Sequence, residues 1–183
     1  MVLRIAGYVA ASLLLERQPR QWHVLAVLDA RVKPTDFLES AALSHAYLTF
    51  DDVEQAALDK RPPTEAWVTQ GLEFAESKDP LLVCCRAGRG RSVALAYLIC
   101  WRAHGAAEAI ALLDPTRHRP NRLVIAIGSS LLNDPEILEQ FDAWRQRHAH
   151  VRLADYYSEM ETEFEALLRE GGRDRITGAD LGA

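Results

Sequence analysis

Hydrophobic residues along the chain fall into two patterns, and each pattern predicts a different kind of element. Short apolar runs at residues 2–6 and 24–28 predict buried strands, and the continuous run at residues 81–84 predicts a strand that is buried on both faces. Another run, at residues 46–50, ends at two aspartates and predicts a further strand. Residues 8–15, between the first two strands, fit either kind of element, and we expect a helix there.

Helical spacing accounts for most of the other apolar positions. One helix is predicted to begin at Thr64 and to end before Pro80, and another to run from Ser92 to a stop at Gly105. Further helices fit residues 106–113, 122–132, 135–148 and 153–169. Because strands alternate with helices in the first half and helices fill the second, we predict a three-layer α/β domain. Its central, mostly parallel sheet is flanked by helices.

The chain has 183 residues, which fits a single domain. We expect this domain to span residues 1–170, with extra C-terminal helices at 135–170, and a disordered tail at residues 171–183. Five apolar residues of the last helix recur at intervals of four and three, the spacing of a coiled-coil seam. We expect them to pack on the domain's own core, which favours a monomer; the alternative is a dimer contact. They are Leu153, Tyr157, Met160, Phe164 and Leu167.

Composition narrows the class of function. The chain has 26 acidic and 21 basic residues, a net charge of −5, which argues against nucleic acid or an anionic membrane as the main partner. Cys84, Cys85 and Cys100 are too few for a disulfide framework, so we expect a reducing compartment, the cytoplasm. Residues 5–15 resemble a short signal peptide, but no A-x-A-like cleavage site follows, and no apolar window has the length of a membrane helix.

One loop concentrates the residues that carry chemistry. Between a predicted strand and a predicted helix, Cys85 is followed by five residues and then by Arg91 and Ser92. Backbone N–H groups of such a glycine-containing turn and of the first helical turn converge and favour an anion. The same field favours the thiolate of Cys85, and the planar guanidinium of Arg91 can bind two phosphate oxygens. The pattern predicts a bound phosphate that faces a nucleophilic sulfur.

This loop resembles the signature of the protein tyrosine phosphatase superfamily, H-C-x-x-G-x-x-R-S/T. Cys85, Gly88, Arg91 and Ser92 match it, and the resemblance covers residues 24–132 and is strongest toward small bacterial dual-specificity-like phosphatases. It implies hydrolysis of phosphate monoesters through a cysteinyl-phosphate intermediate, without metal or organic cofactor. Ser92 would donate to the leaving sulfur. The implied phosphate loop consists of Arg86, Ala87, Gly88, Arg89 and Gly90.

The family also uses an aspartate, well upstream of the cysteine, as its general acid. Asp51 and Asp52 lie 34 and 33 residues before Cys85. Residues 50–53 resemble the F-x-D-I segment of small bacterial members, which favours Asp52 as the acid and leaves Asp51 as a loop cap or an alternative acid. Asn121 resembles an asparagine that supports the phosphate loop in dual-specificity members, and from the residues alone it is an equally good helix cap.

Cys84 stands where the family has histidine, and this departure keeps other functions open. One is a catalytically silent module that binds a phosphorylated partner without turnover. Another is a rhodanese-type sulfurtransferase, whose loop resembles C-R-x-G-x-R; Cys85 begins that pattern, but Arg89 follows it too soon and Arg91 one residue late. Cys84 itself is predicted to be a buried strand residue.

The arginines change the meaning of the net charge. Residues 86–122 hold seven arginines and two acidic residues, a local charge of +5, which suits an anionic substrate. Arg86 and Arg89 either suit a substrate with more than one phosphate or are surface residues at variable positions of the family. We expect the substrate to be phosphotyrosine, phosphoserine or phosphothreonine in a protein, or a small phosphate ester.

Overall fold

The computed structural model describes residues 1–55 and 57–179, and for residues 153, 154 and 156 it describes the backbone but not the side chains. The strands of this part of the chain are β1 (Leu3–Gly7), β2 (His23–Leu28), β3 (Ser44–Thr49) and β4 (Leu81–Cys85). Its helices are α1 (Tyr8–Arg17), α2 (Phe37–Ala41), α3 (Glu65–Phe74), α4 (Arg91–His104), α5 (Ala106–Ala111), α6 (Arg122–Leu131), α7 (Glu136–Arg147) and α8 (Leu153–Arg169).

The four strands form one parallel sheet in the order β1-β4-β2-β3. Strand β4 is central, and its last residue, Cys85, lies opposite Gly7 of β1 and Val27 of β2. Since the carboxyl ends of parallel strands meet at one edge of a sheet, the segments that follow these strands gather around Cys85. The predicted α/β fold, with a parallel central sheet and flanking helices, is confirmed.

The two faces of the sheet are covered by different helices. Side chains alternate between the faces of a strand, so neighbouring residues of β4 enter different cores. Cys85 belongs to the core that β4 shares with α3, α4, α6 and α7. Cys84 belongs to the core on the other face, with α1 and α2, and is a buried strand residue, as predicted. Helix α4 is buried from Arg91 to Trp101, which makes it the central helix of its layer.

Each predicted strand and helix is present, with ends that differ by a few residues. Helix α2 was not predicted, because its five residues are too few for helical spacing to become visible. This helix caps the second core with Leu38 and Ala41, which are both buried.

The predicted disordered tail is wrong for residues 171–179. Ile176 is fully buried in the second core, and its carbonyl accepts a hydrogen bond of 2.8 Å from the Thr35 N–H. The Arg175 N–H donates to the Ser12 hydroxyl at 3.0 Å. A single apolar residue has no periodicity, so the sequence pattern did not reveal this contact. The rest of that tail, residues 180–183, lies outside the described residues.

The apolar stripe of α8 is less buried than expected. Met160, Phe164 and Leu167 are half-buried, and Tyr157 is 50% exposed. Leu153, the first residue of the stripe, lies outside the described side chains. The stripe therefore contacts the domain without entering either core. In the part of the chain that the structure describes, no helix combines the length and the apolar character needed to cross a membrane.

Candidate functional site

Cys85 lies at the bottom of a loop between the central strand and the central helix. It ends β4 and is 2% exposed. Its Sγ lies 3.1 Å from the hydroxyl of Ser92, in the first turn of α4. The thiol thus lies beside the N-terminus of the buried helix α4. The partial positive charge of this helix end favours an anion. A hydroxyl at this distance can donate a proton or a hydrogen bond to the sulfur.

Three carbonyl groups of the phosphate loop, residues 86–90, accept hydrogen bonds from residues outside the loop. The carbonyl of Arg86 accepts from the Tyr8 N–H at 3.4 Å, and that of Arg89 accepts from the Arg119 N–H at 2.8 Å. Gly90 accepts from the N–H of Ala94 at 3.0 Å. This outward use of the carbonyls is the arrangement expected of a loop whose N–H groups converge on an anion.

Gly88 allows the loop to approach β1. Its φ is +70°, and a Cβ at this position would lie 2.4 Å from the Gly7 nitrogen and 2.5 Å from the Ala6 carbonyl carbon. Both the backbone conformation and the space therefore require glycine. The match of Gly88 to the family signature has a local physical cause.

Arg91 is buried at the end of the loop and contacts the residues that follow β2 and β3. Its side chain is 3% exposed, and Nη1 donates to the Phe50 carbonyl at 2.7 Å and pairs with the Asp29 carboxylate at 2.9 Å. Burial alone would lower the pKa of Arg91, but Cys85 and Asp29 outweigh it and raise this pKa. The Nε atom is buried without a hydrogen-bond partner among the described residues. A buried donor of this kind is suited to an anion.

Asp52 lies close to Arg91 and to the loop. Its Oδ2 is 3.9 Å from Arg91 Nε, and its side chain is 45% exposed. Asn121 Nδ2 donates to its Oδ1 at 2.8 Å. A Cβ on Gly90 would lie 2.2 Å from Oδ2, so the glycine makes room for this carboxylate. The structure therefore brings Asp52 next to Arg91 and to Gly90 of the loop.

Asp51 points away from this group and closes its own loop. It is 7% exposed, and its two oxygens accept hydrogen bonds from the N–H groups of Ala30, at 3.1 Å, and Arg61, at 2.8 Å. Burial opposes its ionisation, but the bonds from Arg61 and Ala30 outweigh burial and lower the pKa of Asp51. These are the contacts of a loop cap.

Asn121 is a helix cap, and its side chain also contacts the segment that carries the two aspartates. Its Oδ1 accepts from the Val124 N–H at 3.1 Å, as a cap of α6 does. Its amide nitrogen donates to Asp52 and, at 3.2 Å, to the carbonyl of Val53. The side chain thus holds the aspartate segment, and only the backbone N–H contacts the phosphate loop, at 3.4 Å from the Gly90 carbonyl.

The two arginines of the phosphate loop differ. Arg86 is exposed, whereas the side chain of Arg89 is 5% exposed and is not a surface residue. Arg89 donates to the Arg117 carbonyl at 3.3 Å and pairs with Glu163 of α8 at 2.9 Å. Arg117 pairs with the same carboxylate at 2.5 Å. The last helix is therefore attached to the phosphate loop through Glu163.

Asp29 and Tyr8 also lie at the site, although neither was predicted from the sequence. Asp29 directly follows β2 and pairs with Arg91. Tyr8 opens α1, and its hydroxyl donates to the Val27 carbonyl at 2.5 Å. Burial raises the pKa of Tyr8, so the phenol stays neutral. Both follow strands that flank β4, and this position after a parallel strand is the signal that could have identified them.

The thiol of Cys84 has a different environment from that of Cys85. Cys84 is fully buried on the opposite face of β4 from Cys85, and burial raises its pKa. It therefore makes none of the polar contacts that a histidine could offer there. No group of three or more potential metal ligands occurs among the described His, Cys, Asp and Glu residues.

Comparison with known proteins reports on the fold. No protein-family profile and no curated protein matches the sequence. Human tyrosine phosphatase-like serine/threonine/tyrosine-interacting protein is 17% identical with a TM-score of 0.52, over 72% of this chain and 91% of that one. The Yvh1 phosphatase domain from Chaetomium thermophilum is 16% identical with a TM-score of 0.42, over 82% of this chain and 94% of that one. Tk-PTP in the active form is 18% identical with a TM-score of 0.43, over 76% and 92% of the two chains.

Proposed function

Because the chain has the fold of the protein tyrosine phosphatase superfamily, we propose that it is a cysteine-dependent phosphatase. One observation carries the proposal. The thiol of Cys85, the buried guanidinium of Arg91 and the carboxylate of Asp52 surround a single loop, with Sγ at 3.1 Å from Ser92 and Asp52 at 3.9 Å from Arg91. A nucleophile, an anion-binding group and a proton donor are the three groups that hydrolysis through a covalent intermediate requires.

In the first step, the thiolate of Cys85 attacks phosphorus. The S–P bond forms as the ester P–O bond breaks, and Asp52 gives its proton to the leaving oxygen. Arg91 and the backbone N–H groups of the phosphate loop bind the equatorial oxygens, where charge spreads in the transition state. The ion pair with Asp29 fixes the guanidinium before the substrate arrives, which lowers the cost of ordering it.

In the second step, water attacks the phosphocysteine. Asp52, now ionised, takes a proton from this water, the S–P bond breaks, and phosphate leaves. The Ser92 hydroxyl, at 3.1 Å, donates to the sulfur and makes the thiolate a better leaving group. The enzyme returns with Asp52 protonated and Cys85 ionised, so the cycle needs no metal or organic cofactor.

The contacts of the two aspartates support Asp52 as the acid. Asp52 is 45% exposed and lies close to the loop, whereas Asp51 is 7% exposed and uses both oxygens for backbone hydrogen bonds. A carboxylate that accepts two N–H bonds is held in its ionised form and is a poor acid. The position of Asp52 next to the loop also argues against a sulfurtransferase, because sulfur transfer does not require a carboxylate there.

The substrate that we propose is a phosphorylated protein, at tyrosine, serine or threonine, or a small phosphate ester. We also propose that the protein works in a reducing compartment such as the cytoplasm. All three cysteines are free thiols, and Cys85 has to remain one to act as the nucleophile.

Hydrolysis of an aryl phosphate tests the proposal. The wild type should turn over the ester, Cys85→Ser should abolish turnover, and Asp52→Asn should lower kcat by roughly a hundredfold. Quenching during turnover, followed by intact-protein mass spectrometry, should show one added phosphoryl group in the wild type and none in Cys85→Ser. Cys100→Ser, a matched change of another buried thiol, should leave turnover unchanged.

Other outcomes would contradict the proposal in different ways. Turnover that survives Cys85→Ser would exclude the cysteine mechanism. Tight phosphate binding by the wild type without any turnover would identify a silent binding module instead. Sulfur transfer from thiosulfate to cyanide would identify a sulfurtransferase. A larger loss in Asp51→Asn than in Asp52→Asn would change only the assignment of the acid.

A further inference from the structure

The segment that carries the two aspartates is anchored on both sides of Asp52. On the side of β3, the two oxygens of Asp51 accept backbone hydrogen bonds, at 3.1 Å and 2.8 Å. On the other side, Oε1 of Glu54 accepts a hydrogen bond of 3.0 Å from the Arg122 N–H. Only Val53 separates Asp52 from Glu54 in the chain. Because so short a stretch of backbone has little reach, the position of Glu54 limits that of Asp52.

Glu54 contacts two helices outside its own segment. Arg122 is the first residue of α6, so its N–H group is one of the donors that a helix leaves without an internal partner. The partial positive charge of this helix end favours a carboxylate. The same carboxylate pairs with Arg145 of α7 at 3.2 Å. Glu54 therefore joins the aspartate segment to both α6 and α7.

Helix α7 gives these contacts a fixed base. Three of its side chains are buried in the core that contains Cys85. The carboxylate of Asp142 accepts two hydrogen bonds from the guanidinium of Arg122, at 2.8 Å and 2.7 Å. Arg145 follows Asp142 by three residues, so the two side chains lie on the same side of α7. One turn of this helix thus holds both the start of α6 and Glu54.

The acid itself depends on polar contacts rather than on packing. The side chain of Asp52 is 45% exposed and that of Glu54 is 40% exposed. Asn121, the cap of α6, donates to Asp52 Oδ1 at 2.8 Å and to the Val53 carbonyl at 3.2 Å. The start of α6 thus contacts three consecutive residues of the aspartate segment. Since exposed groups are held by few apolar contacts, these polar contacts decide how often the carboxyl group of Asp52 lies next to the loop.

We propose that Glu54 is a positioning residue for the general acid: its contacts with α6 and α7 keep the carboxyl group of Asp52 next to the phosphate loop. The inference rests on the proposed function, since it presumes that Asp52 protonates the leaving oxygen. Glu54 itself neither gives nor takes a proton in the reaction. An exposed ion pair contributes little energy, so we expect a smaller loss than removal of the acid would cause.

Two esters with different leaving groups isolate the work of the acid. Phenolate needs a proton when it leaves phenyl phosphate, whereas the weakly basic dinitrophenolate leaves without one. Glu54→Ala should lower kcat/KM for phenyl phosphate roughly tenfold and change kcat/KM for dinitrophenyl phosphate by less than about twofold. Glu54→Gln keeps an acceptor for the Arg122 N–H but loses the charge, so its loss with phenyl phosphate should be smaller.

A double-mutant cycle separates positioning from a general structural role. Added to Asp52→Asn, Glu54→Ala should cost nothing further with phenyl phosphate, because a residue that acts only through the acid has no effect once the acid is removed. Arg145→Gln should lower turnover of phenyl phosphate as Glu54→Gln does, and Arg147→Gln, on the same helix, should not. Asp59→Asn is the matched acidic control, since Asp59 pairs with Arg31 instead.

Hydrogen exchange tests the anchor without turnover. The backbone amides of residues 52–54 should exchange faster in Glu54→Ala than in the wild type, because the variant has lost the contacts with Arg122 and Arg145. Exchange in Asp59→Asn should equal that of the wild type at these amides. Circular dichroism of each variant verifies that the helices are intact.

The outcomes separate this inference from the proposed function. Equal losses with the two esters, a full loss in the Asp52→Asn background, or unchanged exchange in Glu54→Ala would overturn the positioning role. A wild-type protein that hydrolyses both esters while its variants show any of these results would remain a phosphatase. A wild-type protein without turnover would refute the enzyme and the positioning role together, even if exchange showed that Glu54 anchors the segment.

Discussion

The phosphate loop and the segment that carries the two aspartates are built in opposite ways. The loop has Cys85 and Arg91 at its two ends, both almost completely buried, and a glycine whose conformation and space exclude other residues. In the segment after β3, Asp51 is buried whereas Asp52 is 45% exposed. The phosphate loop is thus held in place by the core, whereas the aspartate segment is held by only a few contacts.

This difference matches the chemistry proposed for each region. A nucleophile and an anion-binding group gain from fixed positions, since orientation established by folding need not be established during the reaction. A proton donor has to reach the leaving group and then water, so exposure serves it better. Arg91 joins the two regions, because it starts α4 and donates to the carbonyl of Phe50 before the aspartates.

The largest effect is expected where the two regions meet. Arg91→Lys replaces a planar guanidinium, which donates to Phe50 and pairs with Asp29, by a single ammonium group. We expect kcat/KM for an aryl phosphate to fall by about 10²- to 10³-fold. Arg102→Lys, the same change farther along α4, should leave turnover unchanged. Equal rates for wild type and Arg91→Lys would show that the guanidinium does not bind the transferred phosphate.

The second effect concerns the rigidity of the phosphate loop. Gly88→Ala combines a φ of +70° with a Cβ 2.4 Å from Gly7, and we expect the free energy of unfolding to fall by about 2 kcal/mol or more. Gly171→Ala is the control, because φ is +81° there and the space is open; it should cost only about 1 kcal/mol. Urea unfolding measures both. Similar losses in the two variants would mean that the loop yields to the added methyl group.

The same contrast explains how much of the molecule could be predicted from its sequence. Strand β4, the phosphate loop and α4 are consecutive in the chain, so this part of the fold could be predicted from one continuous stretch of sequence. Asp29 and Glu163 reach the site from other elements, and only the sheet order and the position of α8 bring them there. Ile176 is a single buried residue after the last helix and has no periodic partners. These contacts could not be predicted, because they depend on the three-dimensional arrangement rather than on neighbours in the chain.

The smallest effect separates the two aspartates by stability rather than turnover. Asp51→Asn removes a charge that accepts two backbone hydrogen bonds, and we expect a loss of about 1 kcal/mol in the free energy of unfolding at neutral pH. Asp52→Asn should leave stability unchanged while turnover falls. Asp59→Asn, in the same segment, is the control, since its ion pair with Arg31 is 76% exposed on both sides.

The stabilisation by Asp51 should depend on pH in a definite direction. The pKa of Asp51 is lowered in the folded protein below its ordinary 3.8, so the unfolded chain takes up the proton first as pH falls. The stabilisation by the carboxylate is complete above the unfolded pKa and is lost as pH falls through the folded one. Urea unfolding should therefore show wild type and Asp51→Asn converging as pH falls below about 5, with the convergence complete only below the lowered folded pKa. A difference that stays constant over this range would mean that the ionised carboxylate does not hold the aspartate segment, and the contrast between a fixed cap and an exposed acid would fail.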